Sequence, residues 1–67
     1  MDVIEACMLS VGDRFYFDRD LQEYEMIGWQ HNIAMPIVCP VGRKDDYRFV
    51  YPFRKVFVES FYKPLKN

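Results

Sequence analysis

Apolar and aromatic residues alternate with polar ones along Tyr47-Arg48-Phe49-Val50-Tyr51, stop at Pro52, and resume through Val56-Phe57-Val58. A period of two predicts a strand, a one-turn interruption at Pro52 to Lys55, and a second strand. The same period appears earlier. Arg14 to Phe17 reads as a strand, Asp18-Arg19-Asp20-Leu21 as a polar turn, and Gln22 to Trp29 as the returning strand of a hairpin, with Glu23 and Glu25 alternating against Tyr24 and Met26. The alternation breaks at Ile27-Gly28-Trp29, so Gly28 is expected to mark a bulge or corner. Gln30-His31-Asn32 is a second turn. Ile33 to Cys39 has the nearly continuous apolar run of a central strand, but Pro36 cannot donate to a ladder, which predicts an edge or a bulge there.

The connecting segments complete the reading. Met1 to Leu9 fits either one or two helical turns or an extended lead-in. Leu9 to Asp13 is a turn in which Gly12 takes a positive φ and Asp13 caps a local amide. Pro40 to Asp46 is a charged hairpin loop turning at Gly42, and Ser60 to Asn67 a packed start with a frayed end. The expected fold is all-β: one domain over 1–67, a small five-stranded antiparallel barrel with a one-turn break before the last strand. Its interior is predicted from Phe15, Phe17, Tyr24, Met26, Ile33, Met35, Ile37, Phe49, Val56 and Val58. The opposite faces would carry Tyr16, Ile27, Trp29, Val38, Val50 and Phe57.

Composition adds one functional clue. A chain of 67 residues buries only about 60% of the surface it exposes when unfolded, yet 51% of this one is hydrophobic and 18% aromatic. Apolar surface left outside a small domain marks a partner or self-association site. The formal net charge of −1 conceals a division. Residues up to Pro40 carry −5 and those from Val41 onward +4, which reads as opposite charges neutralising each other on adjacent strands or as a basic face for an anionic partner. Cys7 and Cys39 are too few for a disulfide framework, and no apolar run approaches the ~20 residues of a membrane span. A cytoplasmic protein with reduced thiols is the expectation.

Leu9-x-Val11-Gly12-Asp13-Arg14-Phe15 and Val50-x-Pro52-x-x-x-Val56-x-Val58 resemble the opening and closing segments of small SH3-like β-barrel proteins of bacteriophages and mobile elements. The likeness extends in outline over residues 9 to 59. It implies a barrel that works by binding peptides, nucleic acids or host proteins. Trp29 does not fall where the Pro-rich-peptide groove of signalling SH3 domains has its tryptophan, so that ligand is not implied.

Catalytic and metal chemistry finds little support. Asp18-x-Asp20 opens like a calcium loop, but Glu23 occupies the place of the required glycine and Trp29 that of the bidentate glutamate. Cys7, Cys39 and His31 fall short of the four paired ligands of structural zinc. Cys39 with His31 lacks an orienting third residue and a glycine-rich oxyanion loop, and Asp45-Asp46 beside Arg43 and Lys44 reads as a solvated hairpin. No enzyme, cofactor or metal is predicted. Trp29 either anchors an exposed aromatic patch or plugs the end of the barrel; binding residues are predicted at Trp29, in the first case as anchor, with Tyr16, His31, Arg43, Arg48, Tyr51 and Arg54. The partner is another protein or a second copy, the latter through strand pairing at the Pro36 edge. The alternative is nucleic acid, held by Arg43, Lys44, Arg48, Arg54 and Lys55 interleaved with Tyr47, Phe49 and Tyr51. The pI of 5.7 weighs against it.

Overall fold

The computed structural model describes residues 2–18, 22–32 and 34–59. Among the described residues six strands run in order: β1 Asp2–Glu5, β2 Arg14–Phe15, β3 Tyr24–Gln30, β4 Met35–Pro40, β5 Arg48–Phe49 and β6 Lys55–Val58, with a 3-10 turn at Ala6–Met8 after β1. All pairings are antiparallel. One sheet pairs β1 with β6 and the other runs β2-β3-β4-β5. Tyr16 and Phe57 join the two by donating their N–H groups to each other's carbonyls, both at 2.8 Å. Among the described residues no ladder links β1 to β5, so the sheets form no closed barrel.

The sixth strand comes from the N-terminal segment, where both alternatives read from the sequence are present in succession. Val3 and Ile4, β-branched and suited to a pleat, lie in β1 against Phe57 and Val56. The Ala6 and Cys7 N–H groups then carry the contact on to the carbonyls of Arg54 and Pro52, each at 2.8 Å. The break predicted between the last two strands is present: Arg54 N–H donates to the Tyr51 carbonyl at 3.0 Å, and β6 starts at Lys55.

The predicted bulge also forms, and it sets which side chains meet. Tyr24 pairs with Pro40 and Met26 with Val38, but the next pair is Gly28 with Ile37, leaving Ile27 as the extra residue. Directly paired residues share a face. Val38 therefore joins Met26 in the core, and Trp29, paired with Pro36, swings back to the core face instead of continuing the outward series of Glu25 and Ile27. The core comprises Ile4, Ala6, Leu9, Phe15, Tyr24, Met26, Val38, Val50, Val56 and Val58, with Phe17 and Trp29 half-buried against it.

Several placements correct the sequence reading: Met35 and Ile37, expected inside, are half-buried on the outer phase of β4, and three others change sides. Val38 and Val50, expected outside, are buried, while Phe49, expected inside, is 52% exposed. The register explains this: Arg48 and Val50 share the inner phase of Val38 and Pro36, and Phe49 shares the outer phase of Ile37. Pro36 limits its strand locally, as expected, without making β4 an edge strand along its length. β4 lies between β3 and β5, and Pro36 stands where the β4–β5 ladder gives out. Its carbonyl accepts from Val50 N–H at 3.0 Å, but it has no N–H to return.

The turns follow their residues. Gly12 and Gly42 adopt φ of 98° and 85°, and Ser10 N–H donates to the Asp13 carboxylate at 2.8 Å. Of the ion pairs among the described residues, Arg14–Glu23, Arg43–Asp46 and Arg48–Asp46 each lie within one half of the chain, and Lys55–Glu5 joins the halves. The predicted turn residues Arg19 to Leu21, interior Ile33 and the segment 60–67 lie outside the described residues.

Candidate functional site

Where β5 leaves β4, the concave side opens into a groove of about 400 Å³ lined by Phe17, Asp18, Tyr24, Arg48, Val50 and Arg54, with Phe49 and Tyr51 along one wall. Its floor is aromatic. Phe17 meets Tyr24 edge-on at 4.6 Å between ring centres, and Phe15 lies beneath both, 5.2 Å from Phe17 and stacked on Tyr24 at 5.9 Å. These rings meet because β2 and β3 pair Phe15 with Tyr24, and Phe17 leaves β2 just beyond them.

Two guanidinium groups stand over this floor. Arg48 lies 5.5 Å from the Tyr24 ring centre, and its Nη1 donates to the Tyr24 hydroxyl at 3.3 Å. Its Nη2 is 3.7 Å from the Asp46 carboxylate, which also faces Arg43 at 3.7 Å. Arg54 lies 4.8 Å from the Phe17 ring centre and makes no ion pair among the described residues. A cation over a ring face is attracted by the ring quadrupole and holds its fork in a fixed orientation. Arg48 is thus anchored on two sides, and Arg54 presents its charge to the groove. Among the described residues Asp18 is the one acidic residue lining the groove. Outside, Tyr47, Phe49, Tyr51 and Phe53 are all exposed, Tyr51 and Phe53 by 76% and 72%. Tyr47 and Phe49 contact each other at 6.1 Å.

The predicted binding residues divide accordingly. Arg48, Tyr51 and Arg54 meet in the groove, and Arg43 is tied to it through Asp46. Trp29, expected either as an exposed anchor or as a plug at the barrel end, is half-buried on the core because the Ile27 bulge turns it inward, which is nearer the second reading. His31 is exposed in the β3–β4 turn, at the end of β3 remote from Tyr24. Tyr16 is half-buried at the junction with Phe57. Burial, then the Glu23 and Glu59 carboxylates, hold its phenol above its ordinary range. Sequence reasoning placed Phe17 and Tyr24 inside, which holds for Tyr24 at 8% exposure, but missed that their rings also form the floor of a groove. The available signal was their cluster with Phe15, more aromatic surface than one end of so small a core can enclose.

Other chemistry does not assemble. Cys39 is fully buried on β4 opposite Glu25, while His31 lies beyond the far end of β3, on the order of 17 Å away along the sheet. Among the described residues no group of three His, Cys, Asp or Glu could hold a metal ion, and no helix is long and apolar enough to cross a membrane. No family model, curated protein or solved structure matches the chain.

Proposed function

We propose that this chain is a non-enzymatic interaction module on an SH3-like small-barrel plan, whose partner, another protein, seats in the groove between Tyr24, Arg48, Tyr51 and Arg54. The observation that carries the reading is the pair of arginines held over aromatic rings at the mouth of an open groove, beside a row of exposed aromatics. Tyrosine and arginine dominate the energetics of protein interfaces, and anchored side chains lose less freedom on binding. The activity is occupancy: the module binds and thereby modulates its partner, as its likeness to phage-type small barrels implies.

Nucleic acid is the second reading, favoured by the alternation of Tyr47, Phe49 and Tyr51 with Arg48. It ranks behind because carboxylates stand beside the cations. Asp46 faces both Arg43 and Arg48, and Glu5 faces Lys55 at 3.6 Å. Affinity for a phosphate backbone rises with the number of phosphates neutralised, and an acidic chain of pI 5.7 whose basic residues share their surroundings with Asp46 and Glu5 is poorly suited to it.

The test is affinity capture with the wild-type chain, Arg48→Ala/Arg54→Ala and Trp29→Phe, together with titration of single-stranded DNA at low and high salt. The expected result is a protein captured by the wild type and Trp29→Phe but lost with the double variant, with no DNA binding at low salt. A partner retained by the double variant refutes the groove, and salt-sensitive DNA binding reverses the ranking.

A further inference from the structure

The groove has a backbone wall as well as a side-chain floor, and the register identifies it. β5 pairs Arg48 with Val38 and Phe49 with Ile37, and Val50 N–H donates to the Pro36 carbonyl. Along an antiparallel pair, residues that exchange hydrogen bonds alternate with residues that do not. The Val50–Pro36 bond therefore places Arg48 and Val50 in the bonded phase toward β4. The N–H and C=O of Phe49 consequently point away from β4, to the free side of the sheet. No strand pairs with β5 there among the described residues. Successive strand residues point to opposite faces, so the consecutive run Arg48 to Tyr51 lines one groove by presenting the strand's edge to it.

We propose that the groove takes an extended segment of a partner protein that adds to β5 as a further strand, with an acidic–apolar–acidic alternation. This rests on the groove reading above and names its occupant. The segment's central residue exchanges both backbone hydrogen bonds with Phe49. Residues directly opposite share a face, so the central side chain lies with Phe49 on the outer side, where Tyr47 and Phe49 are already exposed and in contact. That position favours an apolar residue. The flanking residues fall on the inner phase of Arg48 and Val50, over the groove, where Arg54, which makes no ion pair among the described residues, and Arg48, whose exposed 3.7 Å contact with Asp46 leaves its fork open to a second carboxylate, outweigh the single carboxylate of Asp18 and favour acidic side chains. Backbone pairing supplies affinity and the alternate side chains supply selectivity. The edge is short because Pro52 follows and the Tyr51 carbonyl is taken by Arg54 N–H. The site reads about three residues and ends there.

The probe is a blocked pentapeptide, Thr-Glu-Val-Glu-Thr, titrated to millimolar concentration into the ¹⁵N-labelled chain while amide shifts and hydrogen exchange are followed. The expected result is perturbation centred on Arg48 to Tyr51 and slowed exchange of the Phe49 amide. A peptide N-methylated at its central valine, which cannot donate to the Phe49 carbonyl, should bind roughly tenfold more weakly, as should one with both glutamates replaced by glutamine. Phe49→Pro removes the outward-facing N–H together with the half-covered ring, so it should abolish binding with a urea midpoint close to that of Phe49→Ala, which keeps the N–H and should bind more weakly than wild type without losing binding. If that variant fails to fold, the N-methylated peptide still decides.

Equal binding by the N-methylated and parent peptides overturns strand addition and leaves the groove reading standing. Absence of any perturbation at the groove overturns both. Salt-sensitive binding of a short oligothymidylate at the same amides, with no response to the peptide, overturns both in favour of nucleic acid.

Discussion

Val50 and Phe49 are adjacent in the sequence, and their environments are the reverse of what their sizes suggest. Val50 is 6% exposed and Phe49 52%. Truncating Val50 to alanine removes two carbons from a buried site, about 1.6 kcal/mol of transfer free energy at ~0.8 per methylene. A residual cavity adds about 1 kcal/mol, giving roughly 2.5 kcal/mol. Full burial of a phenylalanine side chain stabilises by at most about 3 kcal/mol, and only about half of Phe49 is covered. Allowing for a compact unfolded ensemble, Phe49→Ala should cost about 1 kcal/mol. For a chain of this size total stability is on the order of 3–10 kcal/mol, so the two are readily separated. Urea unfolding should show a much lower midpoint for Val50→Ala at unchanged m, and thermal scans a fall of roughly 10–20 °C against about 4–8 °C for Phe49→Ala. Phe49→Ala should also weaken binding of the acidic pentapeptide, because the side chain opposite its central residue is gone. If Phe49→Ala proves the more destabilising, β5 is in the opposite phase, and the backbone edge assigned to Phe49 faces β4 instead.

Trp29→Ala should lose about 2 kcal/mol of stability by urea titration while retaining the partner, since the indole packs on the core; full stability with loss of the partner would restore it as an interface anchor. Gly42→Ala should cost about 1 kcal/mol because its φ of 85° strains any side chain, whereas Gly28→Ala, with open space at the added carbon and no positive φ, should stay within about 0.5 kcal/mol. Tyr16 remains neutral in the folded chain at pH values that ionise it in the unfolded one, so its contribution is complete below its ordinary pKa of 10.0 and is lost as pH rises beyond it. Tyrosinate absorbance together with urea midpoints across that range should show the decline, and Tyr16→Phe should reduce it.

The strands of the second hairpin and the break after it were legible because their period of two and their breakers agreed. Gly12, Gly42 and Pro52 all punctuate the chain where the pattern says they should. The bulge was legible in position but not in consequence. One extra residue reverses the phase of the strand beyond it, so locating the irregularity at Ile27-Gly28-Trp29 did not prevent Trp29 and Val38 from being assigned outward. Only the partner strand decides that: Val38 opposite Met26 and Pro36 opposite Trp29 fix both inward. The phase of β5 was hidden for a related reason. Phe49 is the larger hydrophobe and Arg48 the charged residue, so a single-strand reading sends phenylalanine inward. The structure instead places Arg48 on the inner phase, where its guanidinium finds the Tyr24 hydroxyl and ring at the open mouth and keeps its charge near water.

The groove exists because strand pairing fails in two places, each failure traceable to a proline. Pro36 has no N–H to give Val50, so the β4–β5 ladder cannot lengthen in that direction, and β5 stays two residues long. Pro52 then bends the chain out of the sheet. The N–H groups that might have sealed the seam, those of Ala6 and Cys7, are spent on the carbonyls of Arg54 and Pro52 instead of on Phe49. Two short breaks thus keep the concave face from closing at the point where Phe17 and Tyr24 would otherwise lie beneath a continuous wall. An exposed edge flanked by aromatics carries an aggregation hazard, and the charged residues Arg43, Lys44, Arg48, Arg54 and Lys55 around it are the kind that oppose indiscriminate pairing. A segment whose carboxylates answer Arg48 and Arg54 meets no such opposition. The residues that protect the edge are therefore also the ones that select what may add to it.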